Sequence, residues 1–401
     1  MLFQFGFYSS LLLITFSQGI LYSILLLRKG SKSGDKSNYW LSVFILVCSL
    51  YIAPWMLGFA GWYDNQPYRD ILFYVPFQQL YLFGPLIYFY TQSLLNPNFR
   101  LTKMASLHFL PAVIFLLWNL WIWVYDYFIV NCNYFYADGT DKDFDAWYQY
   151  SGFGSMVLYL VLSIRYYNIY RVLIFQVTSF AESILFDWIK KYLISFLILT
   201  LLPIAFDVLA YFLPEIRTYA GSWWYFLAFS VVMYYIAITA YANPVISKIH
   251  FRLSPFDSGP VVLLSESNVR ESENIIEIEA DIIKKEITPD LKEWILKMEF
   301  LLKEEELYKN PELTLSDVAK RLSINISITS KVVNQGFGLN FNDLINQYRT
   351  EAVVKCLEQG LHKNTTLLGI AFDCGFNSKA TFNRAFKKHT GKSPKDYIAD
   401  L

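Results

Sequence analysis

Residues Ile370 to Tyr397 read IAFDCGFNSKATFNRAFKKHTGKSPKDY, and their spacing is that of a helix, a glycine turn and a second helix. Ile370 and Ala371 close a short first helix, and Gly375 follows at a turn that needs a residue tolerant of positive φ. Phe376 anchors the turn in a core. Asn377 or Ser378 caps the second helix, and Phe382 and Phe386, four apart, form the stripe it buries. Gly391 and Pro394 stop that helix in the usual order, a C-terminal glycine with a proline beyond. The opposite face is left to Lys379, Thr381, Asn383, Arg384, Lys387 and Lys388. From Lys363 to Lys395 seven Lys or Arg stand against one Asp, Asp373, a net of +6. A face kept only for solubility would mix its signs. One sign on one face is the footprint of phosphate binding, so this stretch is predicted to be a DNA-reading helix-turn-helix.

Through Gly375, Phe376, Phe382, Arg384, Phe386, Lys387, Lys388, Gly391 and Pro394 the stretch resembles the AraC/XylS-type transcription regulators, whose GF…F.R.F+K..G..P pattern it follows unbroken. The resemblance implies two helix-turn-helix motifs joined by a central helix. A second motif is therefore expected upstream. Leu315 to Leu322 (LSDVAKRL) has Thr314 or Ser316 as a cap, a break at Ser323 and a further helix around Ser327 to Gln335. Phe341 to Gln359 (FNDLINQYRTEAVVKCLEQ) carries apolar residues at helical spacing and is the expected connector. At about 1.5 Å per residue it is roughly 25 Å long, which can hold two reading helices near one turn of duplex apart. The upstream motif departs from the family pattern, which usually has an apolar residue at the position of Thr329 and an aromatic at that of Val333. Its run of Ile326, Ile328, Thr329, Val332 and Val333 is rich in β-branched residues of weaker helix preference. Ser327, Thr329, Ser330, Lys331 and Asn334 are the candidates for base or phosphate contact there, against the alternative that this helix only packs. In the downstream motif the candidates are Asn377 and Ser378 with the six residues of the open face.

The rest of the chain is of another kind. Of its 401 residues 55% are hydrophobic and 19% aromatic, an excess that lies almost wholly before residue 250 and is too apolar for a soluble protein. Stretches near the length of about 20 residues that crosses hydrocarbon run at Phe5–Leu27, Trp40–Phe59, Ile71–Leu94, Leu107–Val130, Gly152–Tyr170, Tyr192–Phe212 and Trp223–Tyr241. Seven crossings are expected. The odd loops carry Arg28, Lys29, Lys32, Lys36, Arg100, Lys103, Arg165, Arg171, Lys190 and Lys191, the even ones only Arg69, Lys142 and Arg217. Ten against three puts the odd loops in the cytoplasm, the N-terminus outside and the C-terminal region inside, where DNA is. Arg165 and Arg171 crowd the end of the fifth crossing, and Val172 to Leu185 is an alternative interfacial helix. The first apolar run lacks a basic start and an obvious small-residue cleavage site, and it reads as a retained crossing rather than a signal peptide.

Between the halves, Ser254 to Asp290 holds nine Asp or Glu against three Lys or Arg, a net of −6, and reads as a solvated linker. Ile275 to Ile287 fits either a short helix or a strand. Asp290 to Tyr308 is amphipathic, with Leu291, Trp294, Ile295, Met298, Leu301 and Leu302 along one side, and either opens the DNA-binding domain or forms a dimer contact. The expected domains are thus a membrane bundle over 1–250, a linker over 251–289 and an AraC-type domain over 290–401. Its motifs fall at about 314–335 and 366–390, joined by 341–359. The fold class is all-α.

Catalytic signatures do not accompany this pattern. The four histidines stand alone, and no HExxH, phosphate-cradling glycine loop or nucleophile elbow occurs. Cys48, Cys132, Cys356 and Cys374 form no CxxC pair and no disulfide framework, so neither an enzyme nor a cofactor is expected. Ionisable groups within a crossing are costly and mark function, which makes Asp207 the first signal or ligand candidate. Gln78 and Gln79, between Pro76 and Pro85, follow as cavity-lining candidates. Asp126 and Arg165 lie near segment ends and read as reaching the interface, and Asn243 with Pro244 could hinge the last crossing. The sequence predicts a regulator in a bacterial inner membrane. Its partners would be double-stranded promoter DNA, the lipid bilayer, RNA polymerase, a second copy of the chain, and a small-molecule or envelope signal sensed in the bundle or at Asp138, Asp141, Asp143 and Asp145. The rival readings are a membrane receptor or transporter whose helix-turn-helix domain binds a protein, and a membrane enzyme with a regulatory tail.

Overall fold

The structure is a computed structural model and describes residues 4–96, 99–136, 145–181, 186–242, 251–252, 261–263, 277–278 and 289–401. The chain divides into two compact units, residues 1–167 with 187–246, and residues 168–186 with 247–401. Asn243, Pro244, the acidic loop Asp138–Asp143 and most of the linker lie outside the described residues.

The first unit is helical. It comprises α1 (Phe7–Ser33), α2 (Ser37–Gly58), α3 (Tyr68–Tyr74), α4 (Leu80–Leu95), α5 (Lys103–Ser106), α6 (Leu110–Val124) with a wide helical turn over Tyr125–Val130, α7 (Asp145–Val177), α8 (Phe186–Phe212) and α9 (Tyr219–Ala242). Among the described residues six helical stretches are long and apolar enough to cross a bilayer: α1, α2, Lys103–Val130, α7, α8 and α9.

The third expected crossing is the exception. It breaks into α3 and α4, because Pro76 has no N–H to donate and holds Val75 in an extended conformation, ψ 118°. What remains, α4, has 16 residues, fewer than a helical crossing ordinarily uses. Nearly all of α4 is buried, from Phe83 through Leu95 without a gap. A helix apolar all round belongs inside protein, and α4 packs on both α2 and α6.

Small residues let the other helices approach. Ser23 on α1 and Ser42 on α2 each donate to the other's backbone carbonyl, at 3.0 and 2.7 Å. A Cβ on Gly19 would stand 2.1 Å from the Ser49 hydroxyl. Close contact through Gly and Ser is what helices use where no hydrophobic force separates protein from surroundings.

In the second unit the linker adds a feature that the all-α expectation omitted. Short strands β1 (Phe251–Arg252), β2 (Val261–Leu263) and β3 (Glu277–Ile278) form an antiparallel sheet in the order β1-β2-β3. Phe251 pairs Leu263, and Val261 pairs Ile278. The strand alternative within Ile275 to Ile287 thus holds at Glu277–Ile278. Seven helices follow: α10 (Pro289–Lys303), α11 (Leu315–Leu322), α12 (Ile326–Lys331) with a wide turn over Val332–Gly336, α13 (Phe341–Glu358), α14 (Leu367–Asp373), α15 (Lys379–Thr390) and α16 (Pro394–Ala399).

Two cores share α13. Its first half gives Phe341, Leu344 and Ile345 to one core with Met298, Leu302, Val318 and Val332. Its second half gives Val353 and Leu357 to another with Ile370, Phe376, Phe382 and Phe386. The amphipathic α10 lays Leu291, Met298, Leu301 and Leu302 into the first core, so it packs with α11 and α13.

Candidate nucleic-acid interface

Each motif is set by local rules that the residues satisfy. Thr314 caps α11 by accepting from the Asp317 N–H, while Asp317 accepts from the Thr314 N–H at 3.0 Å, a reciprocal capping box. Ser323 ends α11 at φ +57°, and the Asn325 side chain caps α12 by accepting from the Ile328 N–H at 2.7 Å. In the downstream motif Gly375 turns the chain at φ +94°. A Cβ there would meet the Tyr308 carbonyl at 2.5 Å and Lys309 Cα at 2.8 Å, so glycine is required twice over. Ser378, rather than Asn377, caps α15 by accepting from the Thr381 N–H at 3.1 Å. Gly391 closes α15 at φ +77°.

The downstream candidates separate into two sets. Lys379, Asn383, Arg384 and Lys387 are exposed, and the first, second and last lie four apart along one stripe of α15. Burial and the like charge of Arg171 lower the Arg384 pKa. Asn377 and Ser378 are half-buried at the helix start. Thr381 differs from expectation: it is 1% exposed, with its hydroxyl on that of Ser378 at 2.8 Å. Lys388 is exposed but bound to Asp343 at 2.7 Å, which turns it toward the start of α13.

Upstream the same sorting applies. Lys331 is exposed and Ser327 half-buried, one turn apart on α12. Thr329 is fully buried, its hydroxyl donating to the Asn325 carbonyl at 3.0 Å. Ser330 is also buried and accepts from Asn334 at 3.2 Å. Thr329 and Ser330 thus take the packing role on a short helix that cannot keep every polar residue outside. Ile328 and Asn325, both exposed, join the open face instead.

One feature was missed by sequence reasoning. Arg349, in mid-α13, is fully buried and spends its guanidinium on neutral acceptors. It donates to the carbonyls of Tyr308 (2.9 Å), Ser179 (3.1 Å) and Asn310 (2.7 Å), the Ser179 hydroxyl (3.0 Å) and the Asn346 side chain (3.2 Å). Burial pushes its pKa down to about 9, so it remains charged at neutral pH. The signal was present, since Ile345, Arg349 and Val353 are four apart on one buried line.

The clamp holds a stretch that follows α7. Thr178 bridges to Thr314, the Ser179 N–H donates to the Leu313 carbonyl at 3.1 Å, and Asn342 donates to the Thr178 carbonyl at 3.2 Å. α7 itself runs unbroken to Val177, so Val172 to Val177 continues that helix in place of a separate interfacial one.

Of the signal candidates, Asp207 is exposed on α8, five residues from the helix end, and lines neither the cavity at Gln78 nor the one at Asp126. Gln78 lines a cavity of about 760 Å³ and accepts from the Tyr148 hydroxyl on its carbonyl at 2.7 Å. Gln79 is buried and donates to the Pro76 carbonyl at 2.8 Å.

Residues 318–400, from within α11 into α16, match the family described as a helix-turn-helix domain. The C-terminal region is a helix-turn-helix domain. An uncharacterized HTH-type transcriptional regulator of Staphylococcus aureus strain COL is 32% identical over 95 residues, and those of strains MSSA476 and N315 match to the same extent. The match takes in 24% of this chain and 12% of each relative, so the likeness concerns a small part of both. No solved structure matches the chain at significance.

Proposed function

We propose that the chain is a one-component transcription regulator of a bacterial inner membrane. In this reading residues 1–250 form a sensor bundle with its N-terminus outside, 251–289 a cytosolic linker, and 290–401 an AraC-type domain that binds promoter DNA. The carrying observation is the open face of α15, where Lys379, Asn383 and Lys387 form one stripe beside Arg384. In this reading the lysines there hold phosphate and Arg384 reads a base edge. Lys331 and Ser327 on α12 make the second contact, with α13, 18 residues or roughly 27 Å, spacing the two motifs. RNA polymerase and a second copy of the chain are the protein partners of such a regulator.

Coupling needs two states with different DNA affinity. Beside the acidic linker, α7 offers a direct route. Its early part belongs to the apolar unit, and residues 168–177 belong with the helix-turn-helix domain, where Arg349 and Asn342 hold the two residues that follow. A signal that shifts α7 then reaches α11 and α13 without a kinase or receiver.

The test is DNA binding by the full-length chain in lipid nanodiscs, using duplexes selected from a random pool. Arg384→Ala with Lys387→Ala is expected to weaken the selected duplex at least tenfold. Unchanged affinity would reject DNA reading by α15 and favour a protein partner.

A further inference from the structure

Asp126 is placed by sequence near a segment end, where a carboxylate reaches water, and the structure buries it instead. It lies on the wide turn after α6 and is 2% exposed. Its Oδ2 accepts from the Tyr74 hydroxyl at 2.7 Å and from the Phe135 N–H at 3.1 Å. Its Oδ1 has no hydrogen-bond partner among the described residues. Asp126 lines a cavity of about 960 Å³, together with Tyr74, Asn119, Trp123, Tyr127 and a second acid, Asp70. No Lys, Arg or His is among its described lining residues. A buried carboxylate oxygen without a donor is costly, and a charged donor satisfies it best. Aromatic faces attract the same charge through their quadrupoles. A hard metal ion would want six or more oxygens, whereas one unpartnered carboxylate among aromatic residues suits an organic ammonium.

We propose that this cavity binds a small organic ammonium compound, its nitrogen paired with Asp126 and its apolar body against Tyr74, Trp123 and Tyr127. The cavity lined by Gln78 shares Val75, Pro76 and Asn119 with it, which gives a longer apolar body somewhere to extend. This deepens the sensor reading by naming the class of signal. Binding is measured on the chain without DNA, so its failure with promoter binding intact rejects this site alone.

The experiment titrates the full-length chain in nanodiscs with 2-phenylethylammonium and hexylammonium, and with 2-phenylethanol and phenylacetate as neutral and anionic matches, following tryptophan fluorescence. Saturable binding of an amine, at least tenfold tighter than either match and weakened at least tenfold in Asp126→Asn, is the expected result. A diazirine derivative of 2-phenylethylammonium, used on the unmutated chain, is expected to label residues 67–76 and 116–133. Failure of both amines to bind, equal binding of the neutral match, an unaffected Asp126→Asn variant, or labelling confined to other segments would each overturn the proposal.

Discussion

Replacing Arg349 by lysine tests the clamp on the segment after α7. The guanidinium makes five hydrogen bonds, one for each of its N–H groups, while a lysine ammonium has three donors and a shorter reach. At least two bonds are lost, and the acceptors left behind include buried backbone carbonyls. At roughly 1.5 to 3 kcal/mol net for each bond to a charged donor, the loss of two weakens the clamp by about 3–6 kcal/mol. Since each 1.4 kcal/mol is a factor of ten, local opening becomes more frequent by a factor on the order of 100 or more. The reporter is the Ser179 amide, which donates to the Leu313 carbonyl and is shielded only while the segment is seated. Hydrogen exchange followed by mass spectrometry on the full-length chain in nanodiscs is expected to accelerate at Ser179 and across Leu313–Leu322, with α2 and α4 unchanged. Exchange at Ser179 within twofold of the unsubstituted chain would refute the reasoning. So would uniform acceleration through both units.

Other substitutions probe the interface and its supports. Gly375→Ala is expected to destabilise the second core by about 3 kcal/mol or more, from roughly 1–2 for a left-handed non-glycine residue plus the backbone clash at Tyr308 and Lys309, read as exchange of the Phe382–Phe386 amides. Lys387→Ala should lower the slope of log affinity against log salt by about 1 and leave sequence preference intact. Lys388→Ala should change that slope less, because its ammonium is bound to Asp343. Thr314→Ala removes the capping box of α11 and should cost about 1 kcal/mol, seen as faster exchange in the first turn of α11.

What could be read from the residues was what local rules decide. Thr314, Ser378, Gly375 and Gly391 act by backbone conformation within a few residues, and each sits where its chemistry predicts. The span of α13 and the bounds of α11 follow from periodicity in the same way. Decisions made by distant neighbours were not legible. Thr329 and Thr381 look polar and free in sequence, but a hydroxyl can be satisfied within its own turn, which lets the packed core take the residue. The contrast between Asp126 and Asp207 has the same origin. Both are acids in apolar helices, and only the packing of α3 and the chain after α6 against one another buries the first and leaves the second exposed. Pro76 was visible, yet whether a proline kinks a helix or ends it depends on what satisfies the freed backbone.

The most direct test of the central claim is genome-wide crosslinking and immunoprecipitation of the full-length chain from its native membrane, beside a chain carrying Arg384→Ala and Lys387→Ala. Discrete promoter peaks that recover with the membrane fraction and vanish in the substituted chain are the predicted result. Peaks that persist in the substituted chain, or DNA recovered only with a fragment released from the membrane, would contradict it.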